Sequence, residues 1–358
     1  MKKTLIILLS PLMIAGPFVF GQDIRLIDKI PVSQQDCLIE ADDGIAVLPN
    51  GSFIICDTRA GNFKIFDKNG RFVKIFGRRG NGPDEFSVPK LLDYANSRLL
   101  INDWGNNRVL IYQINDNLEL KKVDVFLGIC FDAKIFTHGY LLAGSKLDNK
   151  GRWHLLYLEY PDNGEYSFLL TCDEIFGLPQ IDPVLSNLNG LKERVVIGGR
   201  AYCDFFNDII FAVWEGDLNI IRIDFHTMNK SRFGKKTALY KYPEVTNELI
   251  RTRKEQKLNE YLRELQKFSM IRKIFATRKY IGVVYMNYNK NMDMMNPVVQ
   301  LYSTDGEYLT EHLLEGASYP QHLMPFYFDK ENNILNVLSM TIDAHFEPHY
   351  TLLKYRID

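Results

Sequence analysis

Two stretches decide how this chain folds: GSFIICDTRAGNFKIFDKNG at residues 51–70 and SRLLINDWGNNRVLIYQIND at residues 97–116. They align without a gap at an offset of 46 residues, so that Asp57 falls on Asp103, Phe63 on Val109, Ile65 on Ile111 and Phe66 on Tyr112. Each copy reads as a short apolar strand, a polar bend opening on Asp, a second strand and a turn. In Asp67-Lys68-Asn69-Gly70 the turn chemistry is explicit, because Asn and Gly tolerate the positive φ of a tight reversal. A further strand follows each copy (71–76 and 120–126) and another precedes it (44–48 and 89–94).

Four short strands recurring every ~40–50 residues are the pattern of a propeller blade, which cannot bury both its faces alone and must stack on its neighbours. Working outward, a third unit spans 129–172, a fourth 201–240 and a fifth 270–314. A sixth opens near residue 321 and stops after three strands, PFYFD, ILNVLSM and YTLLKYRID. The segment IRLIDKIPV at 24–32 is an orphan strand, and it is expected to supply the missing outer strand of the last blade. That pairing would close the ring and remove its open edge. The expected fold class is all-β, a β-propeller of six four-stranded blades. Five or seven blades stay open, because units three to six carry insertions.

The linker between the first two units reads FGRRGNGPDEFSVP (76–89). Its Gly77, Gly80, Gly82, Phe86 and Pro89, followed by Asp103, Gly105, Asn106, Asn107, Arg108 and Val109, resemble an NHL repeat. The chain is also similar to the exported six-bladed propellers common in Bacteroidota. The resemblance covers residues 44–126; in the first copy Arg59, Gly61 and Asn62 replace its Gly, Asn and Arg. It implies the propeller fold and brings one enzymatic alternative. Some propellers related to this type are lyases or lactonases holding a metal on the channel axis through His and carboxylate ligands. A metal-dependent hydrolase or lyase with a single axial ion is therefore the second reading.

The N-terminus, MKKTLIILLSPLMIAGPFVFGQ, has a basic start, an apolar run and small residues at Val19 and Gly21. These are the parts of a secretory signal cleaved before Gln22, leaving one propeller domain over 22–358 destined for the periplasm or the exterior. Pro11 and Pro17 argue against an uncleaved membrane anchor, and no later stretch is apolar enough to span a bilayer. A formal net charge of −1 gives no basic field for nucleic acid. Five scattered cysteines without a CxxC pair speak against zinc, and Cys56 and Cys203, inside apolar strands, are expected as buried thiols. The chain is expected to be a monomer.

Two insertions break the period, a Pro- and Gly-bearing loop at 173–200 and PEVTNELIRTRKEQKLNEYLRELQK at 243–267. The second predicts an amphipathic helix, with Val245, Leu249, Leu258, Leu262 and Leu265 as its apolar stripe. It either covers apolar surface on a propeller face or serves as a docking element or ligand lid.

No nucleophile elbow, HExxH, P-loop or EF-hand is present. His345 and His349 flank Pro348 in a loop, where a metal-free surface turn is the favoured reading. The inner-strand starts do not repeat His, Asp or Glu, so no cofactor is expected. Ligand contacts are expected on the face carrying the loops between outer and next inner strand and between second and third strand. The candidate binding residues there are Asp57, Arg59, Arg78, Arg79, Asp103, Trp104, Arg152, Tyr288 and His345, with Lys146 and Glu215 nearby. Trp104 could stack on a sugar or peptide ring or pack between blades. Arg78 and Arg79 could hold a carboxylate or phosphate or remain solvated. Asp57 and Asp103 could instead cap their own bends. The first functional reading is an exported binding module for a glycan, peptide or protein partner in the cell envelope.

Overall fold

The computed structural model describes residues 23–136, 139–146, 153–159, 166–171, 200–242, 246–320 and 324–358. Residues 1–21, expected from the sequence to be a secretory signal, and most of the 173–200 loop lie outside them.

Strand β1 (Ile24–Pro31) comes first in the chain and joins the last sheet. Blade 1 comprises β2 (Asp42–Val47), β3 (Phe53–Asp57), β4 (Asn62–Phe66) and β5 (Phe72–Phe76). The linker forms a small parallel pair, β6 (Arg78–Arg79) with β7 (Glu85–Phe86). Blade 2 is β8 (Pro89–Ala95), β9 (Arg98–Asp103), β10 (Arg108–Ile114) and β11 (Leu120–Leu127). Blade 3 is β12 (Asp132–Phe136), β13 (Gly139–Lys146), β14 (Trp153–Glu159) and β15 (Tyr166–Thr171). Blade 4 is β16 (Ala201–Phe206), β17 (Ile209–Trp214), β18 (Asp217–Asp224) and β19 (Lys230–Phe233). Blade 5 is β20 (Met270–Ala276), β21 (Tyr280–Asn289), β22 (Met294–Ser303) and β23 (Tyr308–Leu313). Blade 6 is β24 (Phe326–Asp329), β25 (Ile334–Ile342) and β26 (Pro348–Ile357), completed by β1.

Every blade is an antiparallel four-stranded sheet, and the inner strands β2, β8, β12, β16, β20 and β24 contact one another in a closed ring. The blades number six, and the orphan N-terminal strand pairs where the sequence placed it, from Ile24 opposite Ile357 to Pro31 opposite Thr351.

Burial explains the two hydropathy patterns along each blade. The middle strands β3 and β9 are packed on both faces by neighbouring blades and read as continuous apolar runs, whereas the outer strands β5 and β11 alternate. Between blades 1 and 2, Phe86 packs edge-on to Phe63 and Phe76 and beside Tyr112. Gly44 is required where β2 meets β8: it has φ +116°, and a Cβ there would lie 2.2 Å from the Leu91 carbonyl oxygen.

The insertion between blades 4 and 5 is two helices rather than one. Helix α1 (Asn247–Lys254) and helix α2 (Leu258–Leu265) are separated at Gln256, whose φ of +54° breaks the helical path. Leu249, Tyr261, Leu265 and Phe268 form a small core with Met270, at the start of β20. Arg251 bridges the pair, reaching Glu248 and Glu255 on one side and Glu260 on the other. The insertion thus lies on the face where the inner strands begin, its apolar side covered. Val245 lies outside the described residues.

Cys37, Cys56, Cys130 and Cys203 are buried free thiols; Cys172 is not among the described residues. Among those residues no helix is long and apolar enough to cross a membrane.

Candidate binding site at the channel mouth

The repeat motif serves the architecture. Asp57 is fully buried and accepts backbone N–H bonds from Glu40 (2.8 Å), Ala41 (3.2 Å) and Ala60 (3.0 Å), and it pairs with buried Lys64. Asp103, also fully buried, accepts from Ser87 (3.0 Å) and Val88 (3.1 Å) and pairs with Arg108 at 3.2 Å. Arg108 in turn donates to the Gly82 and Glu85 carbonyls of the linker, and Asn106 to that of Gly80. Asp57 caps its bend through the Ala60 N–H, whereas Asp103 makes no such cap and ties its bend through the Asn106 and Arg108 side chains; both hold the entry to their own inner strand. Their oxygens are committed within the fold.

The remaining candidates share one face but stand apart. Arg78 is exposed and pairs with Glu85 at 2.7 Å; Arg79 reaches the Arg59 carbonyl; Arg59 lies 3.9 Å from Glu40. The half-buried Tyr288 donates to Asp293 at 2.6 Å. His345 is exposed in a turn organised by Asp343, which accepts its backbone N–H and faces His349 at 3.0 Å. Arg152 and the side chain of Lys146 lie outside what the structure describes. Trp104 is 39% exposed, on a single 3-10 turn (Trp104–Asn106), with its ring centroid 5.4 Å from Phe131 at the entry to blade 3.

That contact leads to the channel. A cavity of about 50 Å³, open to solvent, is lined from all six blades by Asp43, Lys90, Asp132, Arg200, Arg272 and Phe326, among others. It opens at the N-terminal ends of the inner strands, on the face expected from the sequence. Three of those strands carry irregularities here, between Asp42 and Ile45, Leu91 and Asp93, and Ile271 and Lys273. A bulge breaks the alternation of a strand and re-aims a side chain. It lets the consecutive Arg272 and Lys273 both line the cavity, which regular pleating would forbid.

The charges are arranged in layers. Arg272 pairs with Glu215 and lies 3.3 Å from the Tyr202 hydroxyl, and Arg200 shares the same two partners. Lys90 sits 3.3 Å from Asp43. Deeper, Lys134 lies between Asp93 (3.8 Å) and Asp132 (4.0 Å). Burial opposes the Lys134 charge, but Asp132, Asp93 and Asp204 outweigh it and hold its pKa well above the ordinary lysine range. Lys273 goes the other way: burial, then the neighbouring Lys134, bring it down to about 8.

The inner-strand acids also stitch the ring. Asp93 accepts the N–H of Ile135, Asp132 that of Cys203 and Asp204 that of Ala276, each reaching into the next blade. Lys330 closes on Asp204 at 2.6 Å from blade 6. Carboxylates therefore do recur on the inner strands, but at a different position in each, so a comparison of strand starts passes over them. Of the face residues named from sequence, Glu215 alone joins this charge network among the described residues. Lys90, Arg200, Arg272 and Lys273 were missed. The signal at Lys90, Arg272 and Lys273 was a cation inside an innermost strand that is otherwise apolar, tolerated only where it faces a channel; Arg200 lies just before its strand and carried no such signal.

Over residues 30–173 the sequence matches the model of a family, DUF5128, described as a 6-bladed beta-propeller. Sequence and fold agree: this is a six-bladed β-propeller. A member of the DUF4221 family from Bacteroides vulgatus has a similar propeller, with a TM-score of 0.61 at 12% identity over 94% of this chain and 99% of that one. A putative exported protein from Bacteroides fragilis gives 0.55 at 14% identity, over 94% and 95%. Those identities establish a shared propeller fold. No curated protein matches the sequence.

Proposed function

We propose that this propeller is an exported binding module for a glycan, peptide or protein partner in the cell envelope, and that the ligand enters the channel mouth. The observation that carries the reading is the convergence of side chains from all six blades on one open cavity, with bulges that aim two consecutive cations into it. The N-terminal signal pattern and the fold shared with a putative exported Bacteroides protein support export. The enzymatic alternative with an axial metal finds less support. Lys134 and Lys273 stand among the carboxylates where a cation would sit, and those carboxylates already accept backbone N–H groups.

The test is a combined glycan and peptide array probed with the protein and with its Arg200→Ala variant. Ligands captured by the first and lost by the folded second are expected. Ligands held equally by both would move the site away from the channel. N-terminal sequencing of protein recovered from the envelope fraction checks export, with Gln22 as the expected first residue.

A further inference from the structure

The lining of the mouth is not charge-balanced. It carries four cations, Lys90, Arg200, Arg272 and Lys273, against two carboxylates, Asp43 and Asp132. Lys90 has Asp43, and the two guanidiniums share Glu215. Lys273 is 7% exposed, and no carboxylate among the described residues lies within ion-pair distance of its ammonium. Beside it, Arg272 is 8% exposed and its Nε has no hydrogen-bond partner. A buried donor left unpaired is costly and is rarely tolerated without a role. Arg272 thus presents a free donor to the cavity, beside a Lys273 ammonium whose near neighbour is another cation, Lys134. The cavity wall also offers aromatic surface from Phe131, Tyr202 and Phe326, with the Trp104 ring tilted against Phe131.

We propose that the channel mouth binds the carboxylate of an acidic sugar, a uronic acid unit, with Arg272 and Lys273 on the carboxylate and the aromatic side chains against the ring. This deepens the binding-module reading and rests on it. One carboxylate matches one unpaired lysine, and it accepts from the guanidinium edge and the ammonium together. Aromatic faces beside a charged pair suit a ring with an apolar face and one charged substituent. The anion takes over the opposing charge that Lys273 lacks and raises its pKa.

Isothermal titration of the full chain with D-glucuronate and D-galacturonate, against glucose, galactose and acetate, tests this. A uronate is expected to bind at least about tenfold more tightly than its neutral sugar and than acetate. Lys273→Met is expected to remove that preference, and Lys273→Arg to keep it. The wild-type preference also falls as pH rises through about 8, where Lys273, facing Lys134 and Asp132 of β12, Asp93 of β8 and its neighbour Arg272, loses its proton. In Lys273→Arg the fall disappears.

Neutral and acidic sugars binding alike, and both lost in Arg200→Ala, would overturn the carboxylate while leaving the mouth as a binding site. A peptide carboxylate such as acetyl-glycylglycine binding more tightly than either uronate would overturn the sugar. Uronate binding unaffected by Arg200→Ala, Lys273→Met and Arg272→Gln together would overturn both readings. Circular dichroism establishes that each variant is folded.

Discussion

Asp57 and Asp103 do the same work in adjacent blades: each takes the backbone N–H groups of the two residues that lead toward its own inner strand, Glu40 and Ala41 in one case, Ser87 and Val88 in the other. Their cationic partners differ. Lys64 reaches Asp57 from inside β4, whereas Arg108 reaches Asp103 and continues to the linker carbonyls. The repeat therefore preserves the acceptor and varies the cation that neutralises it.

Removing the acceptor strands a buried charge and the N–H groups it held, three at Asp57 and two at Asp103. Asp57→Ala is expected to cost about 3–5 kcal/mol, because Lys64 is left buried without its partner. Asp103→Ala is expected to cost less, since Arg108 keeps the Gly82 and Glu85 carbonyls. Urea midpoints measure both; a loss for Asp103→Ala greater than for Asp57→Ala contradicts this account.

Asp42 gives stability a pH dependence. Burial raises its pKa from 3.8 to about 7, against the Tyr319 and Tyr350 hydroxyls that favour the charged form. The folded protein holds this proton across a range in which the unfolded chain has released it. The contribution of Asp42 is thus fullest below about 4 and lost as pH rises through about 7. Asp42→Asn is expected to raise the melting temperature at pH 8 and to leave it nearly unchanged at pH 4. Equal effects at the two pH values would refute the assignment.

The ring depends on its first strand. Deleting residues 23–32 exposes the full edge of β26 and uncovers Leu352 and Tyr355, both buried beneath the closed blade. A lower melting temperature and concentration-dependent self-association by light scattering are the expected outcome, because an open sheet edge recruits other strands.

Trp104 separates packing from recognition. It touches Phe131 yet remains 39% exposed, so Trp104→Ala is expected to cost no more than about 1 kcal/mol of stability. Affinity for a mouth ligand is expected to fall several-fold through the loosened Phe131 wall. A stability loss as large as that of Asp57→Ala would make Trp104 a part of the core.

The blades were legible because their strands obey local rules. The aligned repeats gave blades 1 and 2 within two or three residues, and the Asp67–Gly70 turn forms as read, with Gly70 at φ +79°. The break at Gln256 was not legible: Glu255-Gln256-Lys257 contains no Gly or Pro, and the reversal is set by Leu249 meeting Tyr261 and Leu265 across the pair. The mouth escaped for a related reason. Its residues are consecutive in no motif, and a bulge in β20 decides that Arg272 and Lys273 point the same way. The named aspartates drew attention because the motif repeats them, and they repeat because every blade needs anchoring.

The pairing of β1 with β26 joins residues more than three hundred positions apart, Ile24 with Ile357. During synthesis the earliest strand has no neighbour until the final one is made. Five blades can stack while the ring still gapes, and the last step draws the two ends together over the longest loop the chain offers. The finished ring is held shut by this one pairing of its two ends, which ties the first strand of the propeller to the last.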